Sequence, residues 1–205
     1  LYISKDYQGM IDAMKAKKVD YAFFTAMSYV FAEKQAGAKV LLKKVWETPF
    51  YYSVILVKKG SKIKTLSDLK GKSFGFVDQK STSGYLYPQV LFKKEGLVPS
   101  KYFKETKFFG NHESSSRALL DGKIDAIAVF SDSADGRKSA VAKFFAARQD
   151  EVEALWVGEP IPNDPFVVRQ DFYEQYPQLT HRMMFAFIDL KEDEKGNLLK
   201  SLLGV

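Results

Sequence analysis

Short apolar runs alternate along the chain with stretches in which apolar residues recur at helical spacing. Tyr7, Met10, Ile11 and Met14 follow the period of an amphipathic helix, whereas residues 21–24 form a continuous apolar run typical of a buried strand. The pattern predicts strands at residues 1–4, 21–24, 40–45, 51–57, 73–77, 106–109, 124–130, 154–157 and 166–169. It predicts helices at about residues 7–18, 26–36, 66–69, 84–95, 112–120 and 134–149, with further helices after residue 169. Strands separated by helices favour the α/β class with a largely parallel sheet.

Two places interrupt this alternation and divide the chain into two lobes. Residues 58–61 form a polar break after a strand, and the Pro-rich run 160–165 forms a rigid turn. We predict that residues 1–56 and 163–205 form one lobe and that residues 57–162 form the other. A chain that leaves a lobe and later returns to it gives a two-stranded hinge.

Composition narrows the class of protein. Of the 205 residues, 46% are hydrophobic, which is enough for a packed core, and none is cysteine, which excludes disulfides and thiolate chemistry. The net charge of +6 comes with dispersed lysines, as on a solvated surface, and no basic stripe interleaved with aromatics indicates a nucleic-acid reader. The sequence has no transmembrane run and no visible signal peptide, and it does not begin with Met. We therefore expect the natural N-terminus, with any export signal, to precede Leu1.

The segment at residues 74–85 carries the strongest chemical signal. A strand is followed by Ser81, Thr82 and Ser83, and then by Gly84 at the start of a predicted helix. Backbone N–H groups at a helix start lack partners and carry partial positive charge, hydroxyls add donors, and Gly84 lets the backbone approach a ligand. The segment therefore predicts a neutral anion cradle. The alternative interpretation is that the hydroxyls only cap the helix.

Patterns typical of enzymes do not occur in the sequence. There is no Walker loop and no Gly-x-Ser-x-Gly elbow, and the two histidines are His112 and His181. His112-Glu113 lacks a second His at metal-ligand spacing. We therefore expect no catalysis, no metal and no cofactor, with a hydrolytic enzyme as the weakest alternative.

Eight short strings occur in the order and spacing of one known family. They are KKVDYA (17–22), SYV (28–30), YYS (51–53), LSDLKGK (66–72), STSG (81–84), NHE (111–113), GKIDA (122–126) and IPNDP (161–165). Each string is weak alone, but they are collinear over about residues 5–170. With this set, the chain resembles the phosphate/phosphite/phosphonate substrate-binding proteins of ABC transporters.

The resemblance implies a type II periplasmic binding protein fold, in which two α/β lobes joined by a hinge close on an anion. It also implies that the family's N-terminal strand and helix precede Leu1. Carried over by position, the residues that would hold the anion are Tyr51, Ser81, Thr82, Ser83 and His112. In aminoalkyl-phosphonate binders, acidic residues take the amino end, and the matching positions here are Asp132 and Asp164.

Each of these residues also has a structural interpretation. His112 suits a helix start, Tyr51 suits core packing, Asp132 suits a helix cap, and Asp164 suits a turn. The chain departs from the family at Phe24-Thr25, where an aromatic hydroxyl followed by Gly is common, and at Asp132, which replaces a longer Glu. These departures argue against an aminoalkyl ligand.

The function that the resemblance implies is the substrate-binding component of an ABC importer. The component would capture phosphonate, phosphite or a related phosphorus oxoanion in the cleft between the lobes and deliver it to a membrane permease. It would lie in the periplasm or be anchored outside the membrane as a lipoprotein. The alternative is a ligand-sensing domain of a membrane receptor with the same fold.

Overall fold

The computed structural model describes residues 1–43, 45 and 48–189. These residues form two β-sheets with helices packed against them. The strands are β1 (Tyr21–Phe23), β2 (Ala38–Lys43), β3 (Phe50–Lys58), β4 (Ser73–Phe76), β5 (Glu105–Phe108), β6 (Ala126–Ser131), β7 (Val152–Val157), β8 (Ile161–Pro162) and β9 (Pro165–Arg169). The α-helices are α1 (Tyr7–Lys15), α2 (Ala26–Ala36), α3 (Tyr87–Lys94), α4 (Pro99–Tyr102), α5 (His112–Leu120), α6 (Ala140–Phe144), α7 (Gln170–Gln175) and α8 (Pro177–Asp189). Leu66–Leu69 and Ala146–Glu151 are 3₁₀-helices, and Thr82–Leu86 is a π-helix.

The smaller sheet has the strand order β1-β9-β2, and its strand pairs are antiparallel. Helices α1 and α2 pack against it. Ile11 and Met14 of α1 and Ala32 of α2 share one buried cluster with Ala22 and Val167 of the sheet. The apolar stripe predicted for the first helix is therefore the face that this sheet covers.

The larger sheet has the order β5-β4-β6-β3-β7, with β8 paired to β3. Strand β4 runs parallel to β5 and β6, whereas β3 runs antiparallel to β6 and β7. The predicted parallel arrangement is therefore limited to β4, β5 and β6.

Both faces of the larger sheet are covered. Because side chains alternate along a strand, Val54 and Leu56 of β3 face one cluster, whereas Ile55 and Val57 face the other. The first cluster includes core residues of α5 and α6, and the second includes Phe92 of α3. A strand buried on both sides explains the continuous apolar run at residues 54–57.

Two predicted elements are wrong. Residues 1–4 were predicted to form a strand but are irregular. The single helix predicted over residues 134–149 is replaced by the short helix α6 and a 3₁₀-helix. The reason is a tight turn in which Gly136, at φ 76°, donates its N–H to the carbonyl of Ser133, so the helix cannot start at residue 134.

The division into two lobes stays a prediction. Strand β3 lies wholly in the larger sheet, so a boundary between residues 56 and 57 would cut it. The pairing favours a first crossing before Phe50, while β9 in the smaller sheet agrees with a return near residue 163. Residues 190–205 of the predicted first lobe lie outside the described residues. Among the described helices, none has the length and apolar character needed to span a membrane.

Candidate functional site

The hydroxyl-rich turn follows the end of β4. Ser81 is fully buried and is the N-cap of the π-helix, because its Oγ accepts a hydrogen bond of 3.0 Å from the backbone N–H of Gly84. The turn before it is held by Asp78, whose side chain accepts from the N–H of Lys80 at 2.7 Å. For Ser81, the capping interpretation is therefore confirmed.

The π-helix at Thr82–Leu86 has a local cause. Pro88 has no N–H, so it cannot donate to the carbonyl of Gly84, and that carbonyl instead accepts from the N–H of Val77 at 3.2 Å. Gly84 packs on the end of β4, and a Cβ there would lie 2.4 Å from Cγ2 of Val77. Gly84 is therefore required by packing against the sheet, whereas we predicted that it lets a ligand approach.

Thr82 bridges the two sheets. Its Oγ1 accepts a hydrogen bond of 2.9 Å from the backbone N–H of Met27 at the start of α2. In the same region, Oγ1 of Thr25 donates to the carbonyl of Lys80 at 3.3 Å. These contacts join the helix of the smaller sheet to the hydroxyl-rich turn of the larger one.

A cavity of about 180 Å³ opens beside this contact. It brings together five of the predicted ligand residues, whereas Ser81 and Thr82 do not line it. Its lining residues are Tyr7, Thr25, Tyr51, Ser83, His112, Phe130, Asp132, Lys143, Asn163 and Asp164. A water molecule needs only about 10–15 Å³ of such volume, so the cavity has room for a small ligand.

Four helices begin at this cavity. Tyr7 is the first residue of α1, Thr25 is the N-cap of α2, Ser83 lies in the first turn of the π-helix, and His112 is the first residue of α5. Each helix start carries partial positive charge. The helix starts therefore act in favour of an anion, whereas the two carboxylates of the lining act against one.

The hydroxyl of Tyr51 is the clearest unmet hydrogen-bonding group of the site. The residue is 7% exposed, and its hydroxyl oxygen forms no hydrogen bond of normal geometry within the described residues. Burial, and then the charge of Asp164, raises the pKa of Tyr51 well above its usual value, although the hydroxyl of Thr82 acts in the opposite direction. The phenol therefore stays protonated and is available as a donor.

Tyr7 adds a second, partly buried phenol that we did not predict. Its ring packs against the core cluster of the larger sheet, although its helix belongs to the smaller one. Burial raises the pKa of Tyr7 to about 12, the charges of Asp164 and Asp78 act in the same direction, and a hydrogen bond with Ser81 opposes them. Tyr7 is thus a neutral group that reaches from α1 to the hydroxyl-rich turn.

The surroundings of His112 favour a neutral imidazole, although the residue is only partly buried. The backbone N–H of Phe130 donates to Nδ1 at 3.4 Å, so the proton of the neutral ring is on Nε2. Burial, and then the charge of Lys143, lowers the pKa of His112 to about 3. Of the two states that the sequence left open, the structure therefore supports the uncharged hydrogen-bond donor.

Five lining residues were missed by sequence reasoning: Tyr7, Thr25, Phe130, Lys143 and Asn163. Asn163 adjoins the predicted Asp164 and donates to the carbonyl of Thr48 at 2.9 Å, and Thr25 follows Phe24, where we expected a lost hydroxyl. These two had a local signal. Lys143 had none, because it looked like one more exposed lysine. The described ranges contain no cluster of His, Asp and Glu that could hold a metal.

Comparison with known proteins gives a consistent result. Residues 1–205 match the model of the family described as "ABC transporter, phosphonate, periplasmic substrate-binding protein". The chain is 30% identical over 179 residues to the phosphonates-binding periplasmic protein of Escherichia coli (strain K12), covering 84% of this chain and 52% of the relative. It is 32% identical over 175 residues to the phosphate-import protein PhnD of Mycolicibacterium smegmatis, covering 80% and 53%. The chain thus spans about half the length of these curated relatives, which are named as binding or import proteins and not as enzymes.

Solved structures agree on the fold. A binding protein component of an ABC phosphonate transporter from Pseudomonas aeruginosa superposes with a TM-score of 0.74 at 28% identity, covering 82% of this chain and 56% of that one. PhnD1 of Prochlorococcus marinus in complex with methylphosphonate superposes with a TM-score of 0.70 at 21% identity, covering 83% and 64%. Sulfonate-binding and arginine-binding proteins share the architecture at lower scores. The predicted type II periplasmic binding protein fold is confirmed.

Proposed function

Because the chain belongs to the family of periplasmic phosphonate-binding proteins of ABC transporters, we propose that it captures a phosphorus oxoanion for import. The ligand is phosphonate, phosphite or a related ion, and it lies in the cavity between the two sheets. The protein works outside the cytoplasmic membrane, free in the periplasm or anchored as a lipoprotein. It delivers the ligand to a membrane permease.

The convergence of four helix starts on one small cavity supports this proposal most directly. Helix N-termini and hydroxyls stabilise an oxoanion by dipoles and hydrogen bonds without a fixed counter-charge. The buried, protonated hydroxyl of Tyr51, which forms no hydrogen bond of normal geometry within the described residues, supplies a donor that an oxoanion oxygen would satisfy. Ser83 and the Nε2–H of His112 add donors of the same kind on the cavity wall.

The site suits passive capture better than catalysis. His112 has a pKa of about 3, which is too low for a general base near neutral pH, and it is the one histidine of the cavity lining. Hydroxyl nucleophiles such as Ser83 therefore have no imidazole that could take up their proton. We propose reversible binding in which the ligand leaves chemically unchanged.

Titration calorimetry on the full chain tests the proposal. We expect methylphosphonate or phosphite to bind with a dissociation constant well below about 1 mM and to be recovered unchanged. Sulfate, a similar tetrahedral anion, serves as the comparison ligand. A folded chain that binds no phosphorus oxoanion, or that converts one to a product, would overturn it.

The two carboxylates of the cavity lining bear on whether the ligand carries an aminoalkyl group. Asp132 and Asp164 both line the cavity, so an ammonium group on the ligand could approach them. If it does, Asp132→Ala weakens binding of an aminoalkyl-phosphonate more than binding of phosphite. The exposed Asp12 of α1, which lies outside the cavity lining, gives a control of equal charge in Asp12→Ala. Equal losses for both ligands would show that Asp132 does not meet an amine.

A further inference from the structure

Lys143 brings a full positive charge to the cavity. It lies in α6, whose residues Ala140 and Val141 are completely buried in the core cluster of the larger sheet. The anchored helix holds Lys143 at the cavity wall, although its side chain is exposed to solvent.

An aromatic group connects Lys143 to the predicted anion contact. The ring of Phe130 lies 4.9 Å from the imidazole of His112 in an edge-on arrangement, and Nζ of Lys143 lies 5.9 Å from the centroid of the same ring. Nζ is also 5.9 Å from the ring of Phe144. Contacts at this range are at the limit of cation–π attraction, so they leave the charge of the ammonium intact.

The other charged and titratable groups of the cavity are carboxylates, phenols and an imidazole. They are Asp132, Asp164, Tyr7, Tyr51 and His112. Lys143 is the single ammonium or guanidinium group among the lining residues that the structure describes. Its field reaches the interior of the site, because its charge is one of the two causes that lower the pKa of His112.

We propose that Lys143 sets the charge preference of the cavity and favours a doubly charged oxoanion over a singly charged one of the same shape. Helix starts and hydroxyls attract both kinds of anion, whereas the repulsion by two nearby carboxylates is about twice as large for a dianion as for a monoanion at the same distance. One ammonium at the wall offsets that added repulsion. This inference rests on the proposed function, since it concerns the ligand of the same cavity.

Two ligands that differ mainly in charge test it. Methylphosphonate, at a pH above its second ionisation, is a dianion, and methanesulfonate is a monoanion with the same methyl group and three oxygens. Calorimetry would measure both on the full chain and on three variants: Lys143→Met, Lys143→Gln and Lys143→Arg. Lys101→Met is the control, because Lys101 is exposed on α4 and does not line the cavity.

We expect Lys143→Met and Lys143→Gln to weaken methylphosphonate binding about tenfold, which is about 1.4 kcal/mol, and methanesulfonate binding less than about threefold. Lys143→Arg and Lys101→Met should keep the wild-type ratio of the two affinities. If the wild-type chain binds methylphosphonate and both neutral variants keep its ratio of the two affinities, the role of Lys143 is overturned while the proposed function stands. If the wild-type chain binds neither ligand, the proposed function fails and this inference fails with it.

Discussion

Tyr51→Phe should move the stability of the protein and its affinity for the ligand in opposite directions. The variant removes one hydroxyl that is buried and forms no normal hydrogen bond within the described residues. A buried donor without a partner costs about 1–3 kcal/mol, so its removal should stabilise the ligand-free protein by about 1 kcal/mol. A hydrogen bond to a charged ligand contributes about 1.5–3 kcal/mol, so its loss should weaken binding by about tenfold to a hundredfold.

Urea denaturation and calorimetry measure the two effects separately. With a slope of about 2 kcal/mol per molar urea, a gain of about 1 kcal/mol raises the midpoint by about 0.5 M. A saturating ligand stabilises each protein according to its own dissociation constant. Because the expected loss of affinity exceeds the gain of stability, the order of the two midpoints should reverse when methylphosphonate is added.

The neighbouring residue provides the matched control. Tyr52 precedes Ser53 on the same strand, and alternation along a strand directs it away from the face that Tyr51 occupies. Tyr52→Phe removes the same hydroxyl from a partly exposed residue that does not line the cavity, so both measurements should stay near the wild type. A Tyr51→Phe variant that is less stable without ligand and binds with unchanged affinity would refute the reasoning.

Two further variants separate structural from ligand roles. Ser83→Ala should weaken methylphosphonate binding with little change in stability, whereas Ser81→Ala should cost about 1 kcal/mol of stability because it removes a helix cap. Urea midpoints measure the stability of each variant, and calorimetry measures its affinity. A loss of affinity confined to Ser81→Ala would contradict the capping role of Ser81 and the ligand role of Ser83. The pKa of His112 is about 3 in the folded protein, whereas that of an unfolded histidine is about 6.5. The unfolded state therefore binds more protons between these pH values, and the free energy of unfolding should fall as the pH decreases, by at most about 1.4 kcal/mol per pH unit. His112→Gln should flatten this part of the stability profile, the exposed His181→Gln should not, and identical profiles for wild type and His112→Gln would disprove the burial of a neutral ring.

Local pattern predicted the elements well where one face or both faces of an element are buried. The strand at residues 51–57 and the helix stripe of Ile11 and Met14 follow directly from apolar spacing. The long helix expected at residues 134–149 failed because Gly136 adopts a positive φ and Ser131 pairs with Ser139 across the turn. Such a turn depends on tertiary contacts that apolar spacing does not encode.

The site was only partly predictable for a related reason. The hydroxyl-rich turn has a local signature, yet its three hydroxyls have different surroundings: Ser81 caps, Thr82 bridges to α2, and Ser83 lines the cavity. Tyr7 and Lys143 are distant in sequence, and only the tertiary fold brings them to the wall of the same cavity. Their ligand roles, like those of the predicted residues, stay predictions until binding is measured.

The bridge between Thr82 and Met27 constrains how a ligand could act on this fold. This hydrogen bond links the start of α2 to the hydroxyl-rich turn and involves protein groups alone. Part of the contact between the two sheets therefore forms without a ligand. A ligand changes the balance between open and closed forms only by binding one form better than the other. We expect that difference to come from groups that the bridge leaves unused, such as the hydroxyl of Tyr51 and the ammonium of Lys143. Both sit on the larger sheet or its helices, so the helix starts of α1 and α2 on the opposite side would complete the binding site only when the cleft is closed.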